Sequence, residues 1–171
     1  RKLEAQVQLI TRHLIDPVTG CGRNQVDLDF NPIPAIALNR TWNAERAGDA
    51  PALPTDTTSY GHNVELAWLI NLAIQTGGFD TTPYKPVMKR LLNHALQHGV
   101  DWELGGIYRD GIADGEALIK EKEFWQNAEV LVGFLDGYET FGDERYFEAF
   151  ENVWNFVNYH MINHTVGEFR T

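Results

Sequence analysis

His98-Gly99-Val100-Asp101-Trp102-Glu103-Leu104-Gly105 ends one helical stretch and turns the chain back, and its pattern recurs twice more. His13-Leu14-Ile15-Asp16 is followed by Gly20, and His160-Met161-Ile162-Asn163 by Gly167, so each glycine comes four residues after an acid or amide. Asp101 and Asn163 lie 62 residues apart and Glu65 and Glu129 lie 64 apart, which marks a unit of about 62 residues; a long loop over 17–60 stretches the first interval. Each unit reads as helix, turn, helix and a short extended piece such as Gly106-Ile107-Tyr108-Arg109 or Glu168-Phe169-Arg170. Helical hairpins that recur in this way bury their faces on their neighbours, in an open solenoid or a closed ring. The expectation is an all-α, two-layer toroid with short β-hairpin pieces. Six hairpins would need roughly 370 residues, so 1–171 reads as a single partial domain, about half of a ring.

The periodicity predicts helices over about 1–15, 62–76, 84–98, 122–141 and 144–162. Pro83 and Pro86 suit a first turn, Gly99 and Gly142 the position after a helix end, and Asp143 an N-cap. The helix after Gly61 is apolar nearly all round and reads as inner, whereas 84–98 and 144–162 keep polar stripes and read as outer. The loop over 17–60 carries Pro32, Pro34, Pro51 and Pro54 and ends at His62. A loop of that length is either an insertion or a functional element; the apolar run Ile33-Pro34-Ala35-Ile36-Ala37-Leu38 favours a packed lid.

With 171 residues, 43% of them hydrophobic, the chain can bury a sizeable core. A net charge of −10 with scattered lysines and arginines lacks the basic footprint of a nucleic-acid binder. The one cysteine, Cys21, excludes an intrachain disulfide and fits a reducing compartment, so a cytoplasmic location is expected. No apolar run reaches the roughly 20 residues that span a bilayer, since the run after Glu65 is broken at Asn71 and Gln75. There is no HExxH, phosphate-binding glycine loop or GxSxG, and no metal-ligand spacing, so neither a metal nor a cofactor is expected.

Two stations carry chemistry. Ser59-Tyr60-Gly61-His62-Asn63-Val64-Glu65 places a histidine at the mouth of a buried helix with a carboxylate one turn on, which reads as half of an acid/base site or as a cap and a core histidine. Glu123-Phe124-Trp125-Gln126-Asn127-Ala128-Glu129 opens the next inner helix at the same place in the repeat. Aromatic, amide and carboxylate together suit a sugar, whose CH face stacks on the ring while polar groups fix its hydroxyls; Trp125 as core and Glu129 as a tie between helices are the alternatives. His13, His98 and His160 stand where a histidine satisfies helix-end carbonyls, and His94 and His164 read as surface residues.

On these two stations, with Ala67-Trp68-Leu69, Val132-Gly133-Phe134 and Thr140-Phe141-Gly142-Asp143-Glu144-Arg145-Tyr146, the chain resembles the N-acylglucosamine 2-epimerase superfamily, most closely its cellobiose 2-epimerases. Asn63 stands where those enzymes usually have aspartate, and Phe124-Trp125 where many have two tryptophans. The resemblance implies an (α/α)6 barrel and an isomerase that inverts C2 of the reducing-end glucose of a disaccharide such as cellobiose, without metal or nicotinamide. It implies that His62 is one of two proton-exchanging histidines, that Glu65 assists ring opening or orients His62, and that Trp125 lines the sugar subsite with Tyr60 and Glu129 nearby. The implied partner is a mono- or disaccharide. The second histidine would lie beyond Thr171 and the first hairpins before Arg1, so the remainder of the barrel is missing and the chain alone would be silent. An acylglucosamine epimerase, an aldose-ketose isomerase, a non-catalytic sugar-binding repeat and a two-carboxylate glycosidase are the other readings.

Overall fold

The three glycine turns form in the same way and set the frame of the molecule, whose computed structural model describes residues 1–33 and 57–169. Gly20, Gly105 and Gly167 take left-handed φ values of 78°, 83° and 74°. Their N–H groups donate to the carbonyls of Asp16, Asp101 and Asn163 at 2.9, 2.9 and 2.8 Å. The side chain that begins each turn accepts from the backbone inside it: Asp16 Oδ1 from Val18 and Thr19, Asp101 Oδ1 from Glu103 and Leu104, and Asn163 Oδ1 from Thr165, all between 2.9 and 3.1 Å. The acid or amide and the glycine are therefore both required by the geometry. Arg23 stands 3.6 Å from Asp16, and Lys122 Nζ donates to Asp101 at 2.6 Å, so a cation backs each aspartate. Burial pushes the Asp101 carboxyl up, but Lys122 and the Leu104 N–H outweigh it and hold the group below the ordinary carboxylate range.

Five α-helices are present among the described residues: α1 (Lys2–His13), α2 (Tyr60–Gly77), α3 (Lys85–His98), α4 (Phe124–Phe141) and α5 (Glu144–Phe156), the last continuing into a π turn over Val157–Met161. Strands β1 (Thr57–Ser59), β2 (Asp110–Ile112) and β3 (Ala117–Ile119) form an antiparallel sheet in that order, and β4 (Ile162–Asn163) pairs with β5 (Glu168–Phe169). Helices α2 and α4 pack side by side, α3 packs on α2, and α5 packs on α4. The core comprises Val64, Ile70 and Ile74 from α2, Met88, Leu91 and Leu92 from α3, Val130 and Phe134 from α4, and Tyr146 and Val153 from α5. No helix among the described residues is long and apolar enough to cross a membrane.

The backbones of α2 and α4 come close at two glycines. A Cβ on Gly133 would lie 2.3 Å from Val64 Cγ1 and 2.8 Å from the Val64 carbonyl oxygen, and one on Gly61 would lie 2.7 Å from Gln126 Cβ. Only glycine allows this approach. Polar ties then bridge the seam: Gln126 Nε2 donates to Ser59 Oγ at 3.1 Å, and Asn71 Nδ2 donates to Asp136 Oδ1 at 2.8 Å.

Helices α2 and α4 are 64 residues out of phase and begin at equivalent points, so Asn63 corresponds to Asn127 and His62 to Gln126. Both asparagines hold the strand beneath the preceding turn. Asn63 Oδ1 accepts from the Gly22 N–H at 2.8 Å, and Asn127 Oδ1 from the Ile107 N–H at 3.0 Å. These side-chain amides repeat the link between inner helix and turn.

Several expectations are corrected. Helix α2 begins at Tyr60, so Tyr60-Gly61 belongs to its first turn, and residues up to Ser59 are extended in β1. The segment 17–60 is not uniformly irregular. Gly22 and Pro32 bridge Ile15 and Val26, and Asp27 Oδ1 accepts from the Asp29 and Asn31 N–H groups at 2.9 Å. The packed-lid expectation for Pro34–Leu38 lies outside the described residues. Gly99 and Gly142 do follow helix ends as expected, Gly99 at φ −97° and Gly142 in the left-handed region at φ 63°. His94 is not a surface residue: it is 5% exposed, because the α3 face that carries it is covered by Tyr60 and the loop through Ala113.

Two substitutions test this frame. Asn127→Ala leaves the buried Ile107 N–H without its acceptor and should lower stability by about 1–3 kcal/mol in urea denaturation. Asp143 caps α5 by accepting from the Arg145 N–H at 3.3 Å. The Arg145 hydrogen bonds also hold its carboxyl down to about 2. Asp143→Ala should cost about 1 kcal/mol at neutral pH. Because the folded-state group titrates below its unfolded counterpart, that difference should be present above the ordinary carboxylate range and vanish as pH falls towards 2.

Candidate active site

His62 is the third residue of α2, and its side chain is 60% exposed at the helix mouth. The N-terminus of α4 lies alongside because of the approach at Gly61, and it brings the Trp125 ring centroid to 4.8 Å from that of His62 at an interplanar angle of 49°. Glu65 follows one turn on, with its Oε2 4.0 Å from His62 Nε2. Across the seam, Trp68 Nε1 donates to Glu129 Oε2 at 3.1 Å, so the carboxylate expected to need a partner has one. His62, Glu65, Trp125 and Glu129 are thus brought to one side of the α2–α4 pair.

Tyr60 is not with them. It is 0% exposed, stacks on His94 at 5.8 Å, and donates from its hydroxyl to the Gly115 carbonyl at 3.3 Å. Burial pushes its phenol up to about 12, with Asp110 adding to the effect. A phenol with no exposed surface supports the first turn of α2 and the β2–β3 turn; the expected contact with a ligand is corrected accordingly. As the first residue of the helix, one place after β1, its side chain is directed into the core.

Three further residues join the site at its β2 edge. Arg109 Nε donates to Asp110 Oδ2 at 2.9 Å, and Arg109 Nη1 lies 3.6 Å from Glu123 Oε1. Glu123 Oε2 accepts from Trp125 Nε1 at 2.6 Å. Their signal in the sequence was slight, an arginine-acid pair in an extended piece and an acid two residues before a tryptophan. Trp68 could have been found from its place one helical turn after Glu65.

The carboxylates shape the local field. Burial raises Glu65 above the ordinary carboxylate range and the nearby Glu129 charge adds to the rise, with His62 acting against it. Burial likewise raises Asp110 despite its bond to Arg109, and Glu123 contributes. The arrangement can accept a proton at His62, hold a positive charge beside Glu65, and present an aromatic face at Trp125. Among the described residues, no group of three or more histidine, cysteine or acidic side chains is placed to hold a metal ion.

Comparison with known proteins places this chain in a family. The model of the N-acylglucosamine 2-epimerase (GlcNAc 2-epimerase) family matches residues 38–171, and the chain belongs to that family. Its relatives in the family are sugar epimerases and isomerases. A cellobiose 2-epimerase of Ruminococcus albus is 29% identical over 113 residues, covering 66% of this chain and 28% of that protein. A D-mannose isomerase of Marinomonas mediterranea is 29% identical over 143 residues, covering 84% and 32%. Among solved structures, a sugar epimerase from a ruminal bacterium aligns with TM-score 0.78 at 21% identity, over 98% of this chain and 38% of that one. A D-mannose isomerase aligns with TM-score 0.71 at 23% identity, over 98% and 41%. The chain therefore spans about a third of the length of these relatives, and the structural likeness is one of fold.

The raised Glu65 sets the sign of a pH effect. A carboxyl that binds its proton more tightly when folded favours the fold below its unfolded titration and loses that contribution as pH rises through the folded one. Glu65→Gln should therefore raise the melting temperature relative to the parent at pH 7, with the gap closing as pH falls below the carboxylate range. Thermal denaturation across that range reads the effect.

Proposed function

We propose that this chain supplies one half of the proton-exchange site of a carbohydrate 2-epimerase, as part of an (α/α)6 barrel. The observation that carries the proposal is the exposed His62 ring held between Trp125 and Glu65 at the mouth of α2. An aldose opened to its aldehyde has an acidic C2–H, because the carbanion delocalises into the carbonyl. His62 takes that proton through Nε2. Glu65 faces the imidazolium that forms, and the sugar's electrons rest in an enediolate. Protonation of C2 from the opposite face inverts the centre and returns the aldehyde. Trp125 offers a surface for the pyranose CH face, and Glu129, held by Trp68, is placed to accept from a hydroxyl. The favoured substrate is the reducing-end glucose of cellobiose, with glucosyl-mannose as product.

Two opposed faces need two bases. Elsewhere in the chain, His94 and His98 lie against each other, His13 stacks on Phe30, His160 is tilted against Phe156, and His164 binds the Asn158 carbonyl. We assign the second base to a part of the enzyme outside this chain. Return of the proton to C1 would give a ketose, and the longer match to a D-mannose isomerase keeps that outcome as the second reading.

C2-deuterated cellobiose followed by NMR tests the proposal. In the complete enzyme, His62→Ala should slow loss of the label by about 10²–10⁴-fold, and the 171-residue chain alone should leave the sugar unchanged. Exchange that survives His62→Ala would remove His62 from the mechanism, and turnover by the chain alone would remove the second base. Hydrolysis of the glycosidic bond would replace epimerase with glycosidase.

A further inference from the structure

Glu123 occupies the N-cap position of α4 with an extended backbone (φ −89°, ψ 142°), yet its side chain makes no capping bond. An acid at that position ordinarily accepts from the N–H groups of the first turn. Here its two oxygens are used otherwise: Oε2 takes the Trp125 indole N–H at 2.6 Å, and Oε1 faces Arg109 Nη1 at 3.6 Å. Arg109 is fixed in turn. Its Nε donates to the largely buried Asp110, its backbone N–H donates to the Ile119 and Glu121 carbonyls at 3.1 Å, and its carbonyl accepts from the Tyr60 N–H at 3.3 Å. A continuous set of contacts thus runs from the β-sheet through Arg109 and Glu123 to the indole that lies against His62.

We infer that Glu123 is a positioning residue that fixes the plane of the Trp125 ring beside His62, with Arg109 as its anchor. This rests on the proposed sugar site, where a stacking ring must hold one orientation to present its face. An indole held only by packing keeps two side-chain torsions to settle, whereas a short bond to a carboxylate removes that freedom. The two contacts of Glu123 are not equal. A charge-assisted bond of this length is roughly twice as strong as a neutral one, while a partly exposed ion pair at 3.6 Å contributes little. The charge of Glu123 thus strengthens the bond to the indole, and glutamine, which keeps a neutral carbonyl acceptor in that place, should preserve the bond at about half its strength.

The test compares Glu123→Ala with Glu123→Gln. In ¹⁵N-labelled protein, with the Trp125 indole signal assigned by Trp125→Phe, Glu123→Ala should shift that signal and speed exchange of its proton with solvent, and Glu123→Gln should restore both in part. In the complete enzyme, Glu123→Ala should raise KM by about tenfold, the loss expected for one hydrogen bond to a charged group, with kcat little changed; Glu123→Gln should stay within about threefold. An indole signal unchanged in Glu123→Ala overturns the inference, as does a Glu123→Gln variant as impaired as Glu123→Ala. Should the parent protein turn over no sugar, the proposed function fails, and the indole signal alone then decides whether Glu123 fixes the ring.

Discussion

The arrangement depends on how closely α2 and α4 approach at Gly61 and Gly133. With a side chain at either position the helices would stand further apart, because the added atom would meet Gln126 or the backbone of Val64. At the observed separation, Trp68 reaches Glu129, Gln126 reaches Ser59, and the Trp125 ring meets His62. The site is therefore a consequence of backbone proximity, since neither helix alone brings an aromatic face to the histidine. The same proximity places Glu65 and Glu129 near enough for the charge of one to resist ionisation of the other, which is part of the electrostatic cost of building the site here.

Around this seam, the repeated turns and asparagines provide rigidity. Each turn is closed by its own backbone and by the side chain of its first residue, and the first two are then tied to an inner helix by Asn63 and Asn127. Asn63 has a clear part in this. Its oxygen accepts from Gly22 while its amide nitrogen donates to Thr58 Oγ1, and a carboxylate could make only the first of these bonds. The residue beside His62 is thus a structural link between the helix, β1 and the first turn.

The elements were readable where a local rule governs them. The Asp/Asn–Gly spacing predicted three turns of one kind, and the apolar periodicity predicted the helices to within about two residues at most ends. His62, Glu65, Trp125 and Glu129 stood out because a polar group at the start of an apolar helix needs a reason to be there. Tyr60 was misplaced because two steps along a helix rotate a side chain by about 200°; those steps separate the core phenol of Tyr60 from His62, and motif adjacency does not register them. Arg109, Asp110 and Glu123 were missed because they converge only through pairing of β2 with its neighbours, a non-local event with no periodic trace. His94 was misjudged for a related reason, since its cover comes from the β2–β3 turn.

The equivalence of α2 and α4 also separates support from chemistry. The third position of the helix holds His62 in one unit and Gln126 in the other, while the fourth holds asparagine in both. Because the structural bond belongs to the fourth position, the third can change its residue without loosening the turn beneath it. In one unit it is a solvent-facing histidine, and in the other a buried amide that joins the helices. In evolutionary terms, a duplicated hairpin of this design offers an address at each helix mouth where the side chain can change while the turn beneath stays tied.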